Sequence, residues 1–255
     1  MRDIIEQFDR HFDIVPANNE HLILRCQELR YQIFCREQHI FDEHAMEDYL
    51  EIDEYDQRSI HALLRYKRTA EFAATVRIIL PDKKAIKSIY PLDKQVSMFS
   101  THDRQIINNI PRKHLAEISR FSVSKHFRRR VGEKNLLHGI NKHFGKDLNE
   151  STHRRFDAYI TLGLFKAIVN MSDSHGIDNW LAFMEPGLIR LLRRVGIVFH
   201  RIGPVIDYCG FRHACYANAS DILEGIKKVK PEIWAFITDC GRYDLKPNTV
   251  ENLTA

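Results

Sequence analysis

Apolar positions recur along the chain with two different periods, and the switches between them mark out its elements. Residues 1–15, MRDIIEQFDRHFDIV, place Ile4, Ile5, Phe8 and Phe12 on one face at helical spacing, which predicts an N-terminal amphipathic helix over 1–15. NNEHLILRCQELRYQIFCREQ repeats the pattern through Leu22, Cys26, Leu29 and Ile33, with Asn18 or Asn19 as its cap, and predicts a helix of about five turns. IHALLRYK and EFAATVRIILP alternate like strands and flank a polar RTAE, which predicts an antiparallel pair closed by Pro81. Residues 82–114 have weak periodicity and read as loop with a helix. HLAEISRFSVS is a third alternating run.

After RRRVGEK a helical pattern begins, breaks near residues 145–149, and resumes in RFDAYITLGLFKAIVNMSDSHG, where Gly176 is placed as a C-terminal cap. NWLAFME reads as a buried strand. PGLIRLLRRVG reads as a short helix that starts at Pro186 and stops at Gly196. VFHRIGPVIDYCG and HACYANAS follow as two closing strands. A last amphipathic helix over 220–238 is expected to bend or break at Pro231. No repeat or linker divides the chain. The order predicts one domain over 1–255, of α/β (α+β) class, with a mostly antiparallel central sheet flanked by helices.

Composition narrows the class without choosing a function. With 255 residues, 44% hydrophobic and 28% charged, the chain is an ordinary globular one. The net charge of +4 is small, but its distribution is uneven. Residues 41–56 carry Asp42, Glu43, Glu47, Asp48, Glu51, Asp53, Glu54 and Asp56 and no Lys or Arg. Residues 112–134 carry Arg112, Lys113, Arg120, Lys125, Arg128, Arg129, Arg130 and Lys134 against Glu117 and Glu133. That basic stretch is short, which argues against nucleic acid. The five cysteines form no Cys-x-x-Cys, and no signal peptide or apolar run of membrane-spanning length occurs, so a reduced, cytoplasmic setting is expected. Cys209, His213 and Cys215 lack a fourth ligand at sensible spacing. They read as small thiols buried in a β region, and no metal is expected.

Four short matches, in order, resemble one family: LRYQIFCRE with Arg30 and Phe34, EIDEYD with Asp53 and Asp56, ATVRIILP with Arg77, and EISRFSV with Glu117, Arg120, Phe121 and Val123. Together with the order of elements they resemble the GNAT acyltransferase fold. More narrowly they resemble the group holding autoinducer (acyl-homoserine lactone) synthases, N-acyl amino acid synthases and the acyltransferases of the PEP-CTERM/exosortase system. IGPVIDYCG is also similar to the last two. No Trp follows the first motif, where autoinducer synthases carry one, and this counts against S-adenosylmethionine as a substrate.

The resemblance implies a GNAT sheet splayed between its fourth and fifth strands, here EISRFSV and NWLAFME. An acyl-phosphopantetheine thioester would lie in that gap as co-substrate, with no tightly bound cofactor. Glu117 is the expected catalytic base, acting directly or through a water; the alternative is a structural pair with Arg77 or Arg120. A backbone N–H near Val123 or Ser124 is expected to donate to the oxyanion. Arg30, Asp53, Asp56 and Arg77 are implied as an acceptor-side network, where an arginine fork suits an amino acid's carboxylate. Phe34 and Phe121 either pack or line the acyl channel, and FKAIVNM and LAFM offer it apolar walls.

The family's phosphate cradle, Gln/Arg-x-x-Gly-x-Gly/Ala, is matched at Arg129 and Gly132 but meets Lys134 at its last small position. That favours a donor on acyl carrier protein, steered by Lys125, Arg128, Arg129, Arg130 and Lys134, over acyl-CoA. The expected function is N-acyl transfer from acyl carrier protein to the amine of an amino acid or similar small molecule. Two alternatives stand beside it: an acyl-homoserine lactone synthase using S-adenosylmethionine, and a non-catalytic module that binds acyl carrier protein.

Overall fold

The computed structural model describes residues 2–82, 89–127, 152–243 and 245. Its elements run α1 (Arg2–His11), β1 (Phe12–Pro16), α2 (Glu20–Tyr31), β2 (Ser59–Tyr66), β3 (Phe72–Ile79), α3 (Thr101–Asn109) and β4 (Leu115–Val123), followed by α4 (Thr152–Ser174), β5 (Asn179–Met184), α5 (Pro186–Arg193), β6 (His200–Asp207), β7 (Phe211–Asn218), α6 (Ala219–Val229) and α7 (Pro231–Ile237). The strands form one sheet in the order β1-β2-β3-β4-β5-β7-β6. Every junction is antiparallel except β4–β5.

One expected element changes at its end, and another breaks where expected. The N-terminal helix stops at His11. Phe12–Pro16 instead pair with β2 as an edge strand, Phe12 opposite Tyr66. The β-branched Ile14 and Val15 suit a pleated edge, and Pro16 ends it where a missing N–H costs nothing. The C-terminal helix is two helices, because Pro231 has no N–H to continue α6 and opens α7 instead. Elsewhere the local chemistry acts as read. Asn19 Oδ1 accepts the Leu22 N–H at 3.0 Å, and α2 then loosens into a π-helical turn over Gln32–Glu37. Gly176 takes φ +65° beyond α4.

The sheet separates two apolar layers. Ala116 and Ile118 of β4 and Trp180 and Ala182 of β5 face α1, α4, α5, α6 and α7 in the main core. Trp180 is fully buried there, and its Nε1–H donates to Ser172 Oγ at 2.9 Å, which pins the end of α4 to β5. Leu115 and Leu181 face the opposite layer, with Tyr90, Leu92, Phe99 and Ile107. On that same side α2 covers Leu63 with Cys26, Leu29 and Ile33. Between β4 and β5 the pairing is brief. It runs from Leu115 opposite Asn179 to Ile118 opposite Ala182, while β4 continues to Val123. Past Ile118 the two strands part.

The turn after α5 meets helix α6 backbone to backbone at Gly196 and Gly225, where a Cβ on Gly225 would lie 2.6 Å from the Gly196 carbonyl oxygen. Gly225→Ala, which helix propensity alone would reward with about 1 kcal/mol, is therefore expected to destabilise the protein. Chemical denaturation showing a gain would contradict this packing.

Candidate active site

A bulge in β4 builds one wall of the site. Thr75 and Arg77 of β3 face Ser122 and Ser119, so Arg120 and Phe121 together oppose the single residue Val76. The extra residue flips the alternation: Ala116 and Ile118 face the main core before it, Val123 after it. Arg120 sits at the turn-over with φ +51°. This uncommon conformation for a side chain swings its guanidinium onto the polar face.

There it joins two other arginines and three carboxylates. Arg30 from α2 donates Nε to Glu51 at 2.6 Å, Nη1 and Nη2 to Asp56 at 2.7 and 2.8 Å, and Nη2 also to the Glu51 carbonyl. Arg77 forks onto Asp53 at 2.6 and 2.8 Å and donates Nε to Ser119 Oγ at 2.9 Å. Arg120 donates Nη2 to Glu51 at 2.7 Å and to Asp53 at 3.0 Å, with its guanidinium over the rings of Phe34 and Phe41. Burial alone would raise the pKa of Glu51, Asp53 and Asp56. The arginines outweigh it and hold all three below the ordinary carboxylate range. Burial would likewise lower Arg120, but Glu51 and Asp53 lift it above its usual value. His61, buried beside Asp56 at 3.5 Å, is pushed down to about 4 by burial and by Arg30, so it is neutral near pH 7.

Glu117 stands apart from this network. It is 2% exposed on the last stretch where β4 and β5 still pair, opposite Leu181. Its Oε2 accepts the Leu92 N–H at 3.0 Å. Arg77 and Arg120 are engaged with the carboxylates from the loop before β2, so neither is hydrogen-bonded to it. Burial, with the charge of Asp93 adding to it, pushes the Glu117 carboxyl up to about 8. Asp93 is itself held by a fork from Arg112 at 2.7 and 2.9 Å and accepts the Tyr90 N–H at 2.9 Å. The turn that presents Leu92 to Glu117 is thereby fixed.

The parting of β4 and β5 opens a cavity of about 910 Å³, its mouth included. It passes through the sheet. Glu117, Ser119, Arg120, Tyr208 and Arg212 line its polar part; Phe165, Ile168, Leu188, Leu192, Phe199 and Met184 line an apolar chamber between the sheet, α4 and α5. Tyr208 stacks on Phe183 with centroids 4.4 Å apart, and burial followed by the Glu117 charge raises its pKa. Cys209 has φ +54° in the β6–β7 turn and is exposed on the cavity rim, whereas Cys215 is buried. The expectation of two buried thiols holds for Cys215 alone. The described residues contain no cluster arranged to hold a metal ion.

Of the residues singled out in the sequence, Glu117, Phe34, Arg120 and Phe121 line the cavity. Arg30, Asp53, Asp56 and Arg77 lie behind Arg120 as its support, with Arg30 and Arg77 completely buried. Val123 is buried in the main core and Ser124 lies outside the cavity. The Ser124 N–H is taken by the Ala73 carbonyl at 2.9 Å, and the Lys125 N–H by Glu37 at 2.7 Å, so neither is turned to an oxyanion. Lys125 is exposed. Arg128, Arg129, Arg130, Gly132 and Lys134 lie outside the described residues. Within the basic stretch, Arg112 and Arg120 turn inward to carboxylates and do not belong to a surface patch. Glu51, Tyr208 and Arg212 were not foreseen. Glu51 opens EIDEYD, two residues before Asp53, and that spacing was its one signal. FKAIVNM and LAFM, which read as ordinary core before channel walls, contribute Phe165, Ile168, Ala182, Phe183 and Met184 to the cavity lining.

Comparison with known proteins follows this geometry. Residues 29–138 match the model of the acetyltransferase (GNAT) domain. No curated protein sequence matches the chain. Among solved structures, TofI in a ternary complex with an inhibitor and MTA is 16% identical at a TM-score of 0.56, over 87% of this chain and 98% of that one. BjaI, a CoA-dependent acyl-homoserine lactone synthase, is 17% identical at 0.54, over 91% and 89%. FeeM, an N-acyl amino acid synthase from uncultured soil microbes, is 10% identical at 0.53, over 86% and 97%. The fold is the GNAT fold, with its parallel pair at the splay. No helix among the described residues is long and apolar enough to cross a membrane.

Glu51 is the joint between Arg30 and Arg120, so removing its charge uncouples them and leaves Arg30 with Asp56 alone and Arg120 with Asp53 alone. Glu51→Gln is expected to cost about 3–5 kcal/mol in chemical denaturation, and a loss under about 1 kcal/mol would show that the network does not hold the site. The three depressed carboxylates contribute stability that is complete above about pH 4 and is lost as acid protonates them.

Proposed function

We propose that this protein is an N-acyltransferase that moves a medium or long acyl chain from a phosphopantetheine thioester on acyl carrier protein to the amine of an amino acid or a similar small molecule. One observation carries the reading: a buried carboxyl with its pKa near 8 stands at the head of an apolar chamber opened by the parted strands. The chamber fits an acyl tail. The gap beyond Ile118 fits an amide-bearing arm that pairs with backbone as an added strand would. In the reaction the amine nitrogen attacks the thioester carbonyl carbon. Glu117 takes the amine's proton, directly or through a water, and the C–S bond breaks to release the pantetheine thiolate. The base must be ionised to act. Burial keeps Glu117 mostly protonated at pH 7 and lets it ionise as the pH rises towards about 8.

The choice of carrier protein over CoA rests on Lys134 in the phosphate motif and on the arginine run Arg128–Arg130. BjaI is CoA-dependent, so acyl-CoA is the donor to measure alongside. The test supplies acyl carrier proteins and acyl-CoAs of several chain lengths with pooled amino acids and with S-adenosylmethionine, and reads the products by mass spectrometry. N-acyl amino acids support the reading. A lactone from S-adenosylmethionine points instead to the synthase alternative. Tight carrier binding without any product points to a non-catalytic module. Arg128→Glu with Arg129→Glu is expected to raise KM for the carrier, more at low salt than at high salt; an unchanged KM removes the docking role.

Glu117→Gln gives a paired prediction. Turnover is expected to fall at least about a hundredfold, in line with loss of a general base, and the wild-type rise of kcat/KM with pH to a plateau above about 8 is expected to vanish. Stability should move the other way. Between the ordinary carboxylate range and pH 8 the folded state holds a proton that the unfolded chain releases, so wild-type stability declines as pH rises across that window. At pH 8 and above the amide variant should therefore melt higher than wild type. A variant that keeps its turnover, or that melts lower at high pH, would contradict the assignment.

A further inference from the structure

The cavity is lined by two arginines with opposite circumstances. Arg120 is held by two carboxylates, its Nη2 donating to Glu51 at 2.7 Å and to Asp53 at 3.0 Å. Arg212 is not. Its Nη2 donates to the Cys209 carbonyl at 3.0 Å, and its closest carboxylate oxygen, on Glu185, is 3.9 Å away, beyond hydrogen-bond reach. Its Nε is buried and has no hydrogen-bond partner among the described residues. An arginine donor left open inside a protein is costly, and such groups are normally filled by a partner the free protein lacks.

Register places this arginine where an acceptor must sit. Glu117 faces Leu181, which faces Tyr216 on β7. Ala214 and Tyr216 pack on the same side of the sheet as Leu181. Arg212, two residues before Ala214, continues that alternation towards the open end of the splay. It therefore shares a face with Glu117, across the gap left by the parted strands, and both line one cavity with Tyr208 between β6 and β7.

We propose that Arg212 receives a carboxylate on the acceptor and on the acylated product, holding the neighbouring amine against the donor carbonyl beside Glu117. The inference rests on the acyltransferase reading and narrows its acceptor to amines that bear a carboxylate. A planar carboxylate matches the fork of guanidinium donors that Glu185 leaves open. Burial lowers the pKa of Arg212 despite the opposing effect of Glu185, as expected of a cation whose charge is under-compensated. The anchor is independent of acyl length, because the tail occupies the chamber on the other face.

The test needs no turnover. N-dodecanoylglycine and its primary amide, N-dodecanoylglycinamide, share the tail and differ only in the charge at the head. Calorimetric titration of the full chain is expected to show the acid bound tighter than the amide by roughly tenfold to a hundredfold. Arg212→Gln should bring the two to parity while leaving the affinity for the amide unchanged, and Arg212→Lys should fall between. Wild type that does not prefer the acid, failure to bind either probe included, overturns the proposal. So does a variant that keeps the preference or weakens both probes alike, since a structural role would do that. A protein that discriminates acid from amide through Arg212 yet transfers no acyl group to any amine would keep this inference and remove the enzyme reading.

Discussion

The site depends on two neighbouring strands that stop pairing. β4 and β5 are parallel for only four residues each and then separate. At the parting, a polar opening on one face communicates with an apolar chamber on the other. That geometry suits a ligand whose two ends differ as a reactive headgroup and a hydrocarbon tail differ. It also isolates Glu117. A carboxylate at the end of the paired stretch has apolar neighbours behind it and one backbone N–H to accept, so its charged form is disfavoured by burial before any neighbour is counted.

Holding an opening through a sheet requires stiff edges, and the ion network supplies one. Arg30, Arg77 and Arg120 come from α2, β3 and the β4 bulge, and Glu51, Asp53 and Asp56 come from the loop before β2. Three positive and three negative groups cancel, so the cluster is a fixed scaffold with little net field. Burying so many charges earns little stability over an apolar core. The geometry it imposes is the gain: the strained bulge at Arg120 persists because three segments over-determine it. Arg212, across the gap, differs from these wall-building arginines in that its nearest carboxylate, Glu185, lies 3.9 Å away, and it is the one proposed to meet a ligand.

The sequence announced most of this frame. Alternation in IHALLRYK, EFAATVRIILP and HLAEISRFSVS located β2 to β4, and the continuous apolar run of NWLAFME located β5, which is buried on both faces. Glu117 stood out because an acid in such a run has few reasons to be there. The rest was hidden for physical causes. Phe12 fits a helical face and a strand equally, so the switch to β1 is decided by pairing with Tyr66, more than fifty residues away. The bulge leaves no local mark, since Arg120 is as compatible with a regular strand as with a left-handed turn. Glu51 looked like one acid in a solvated run because its partners, Arg30 and Arg120, are distant in sequence. Arg212 fell between the two closing runs read from the sequence, and its importance comes from the distance of its nearest carboxylate.

The central claim is that the parted strands hold Glu117 protonated near neutrality at the mouth of the chamber. Its most direct test is the titration of that one carboxyl, read by isotope-edited infrared spectroscopy as the difference between wild type and Glu117→Gln. The account predicts a protonated carboxyl band that persists at pH 7 and converts to carboxylate near pH 8. A Glu117 that ionises in the ordinary range, near about pH 4, would contradict it.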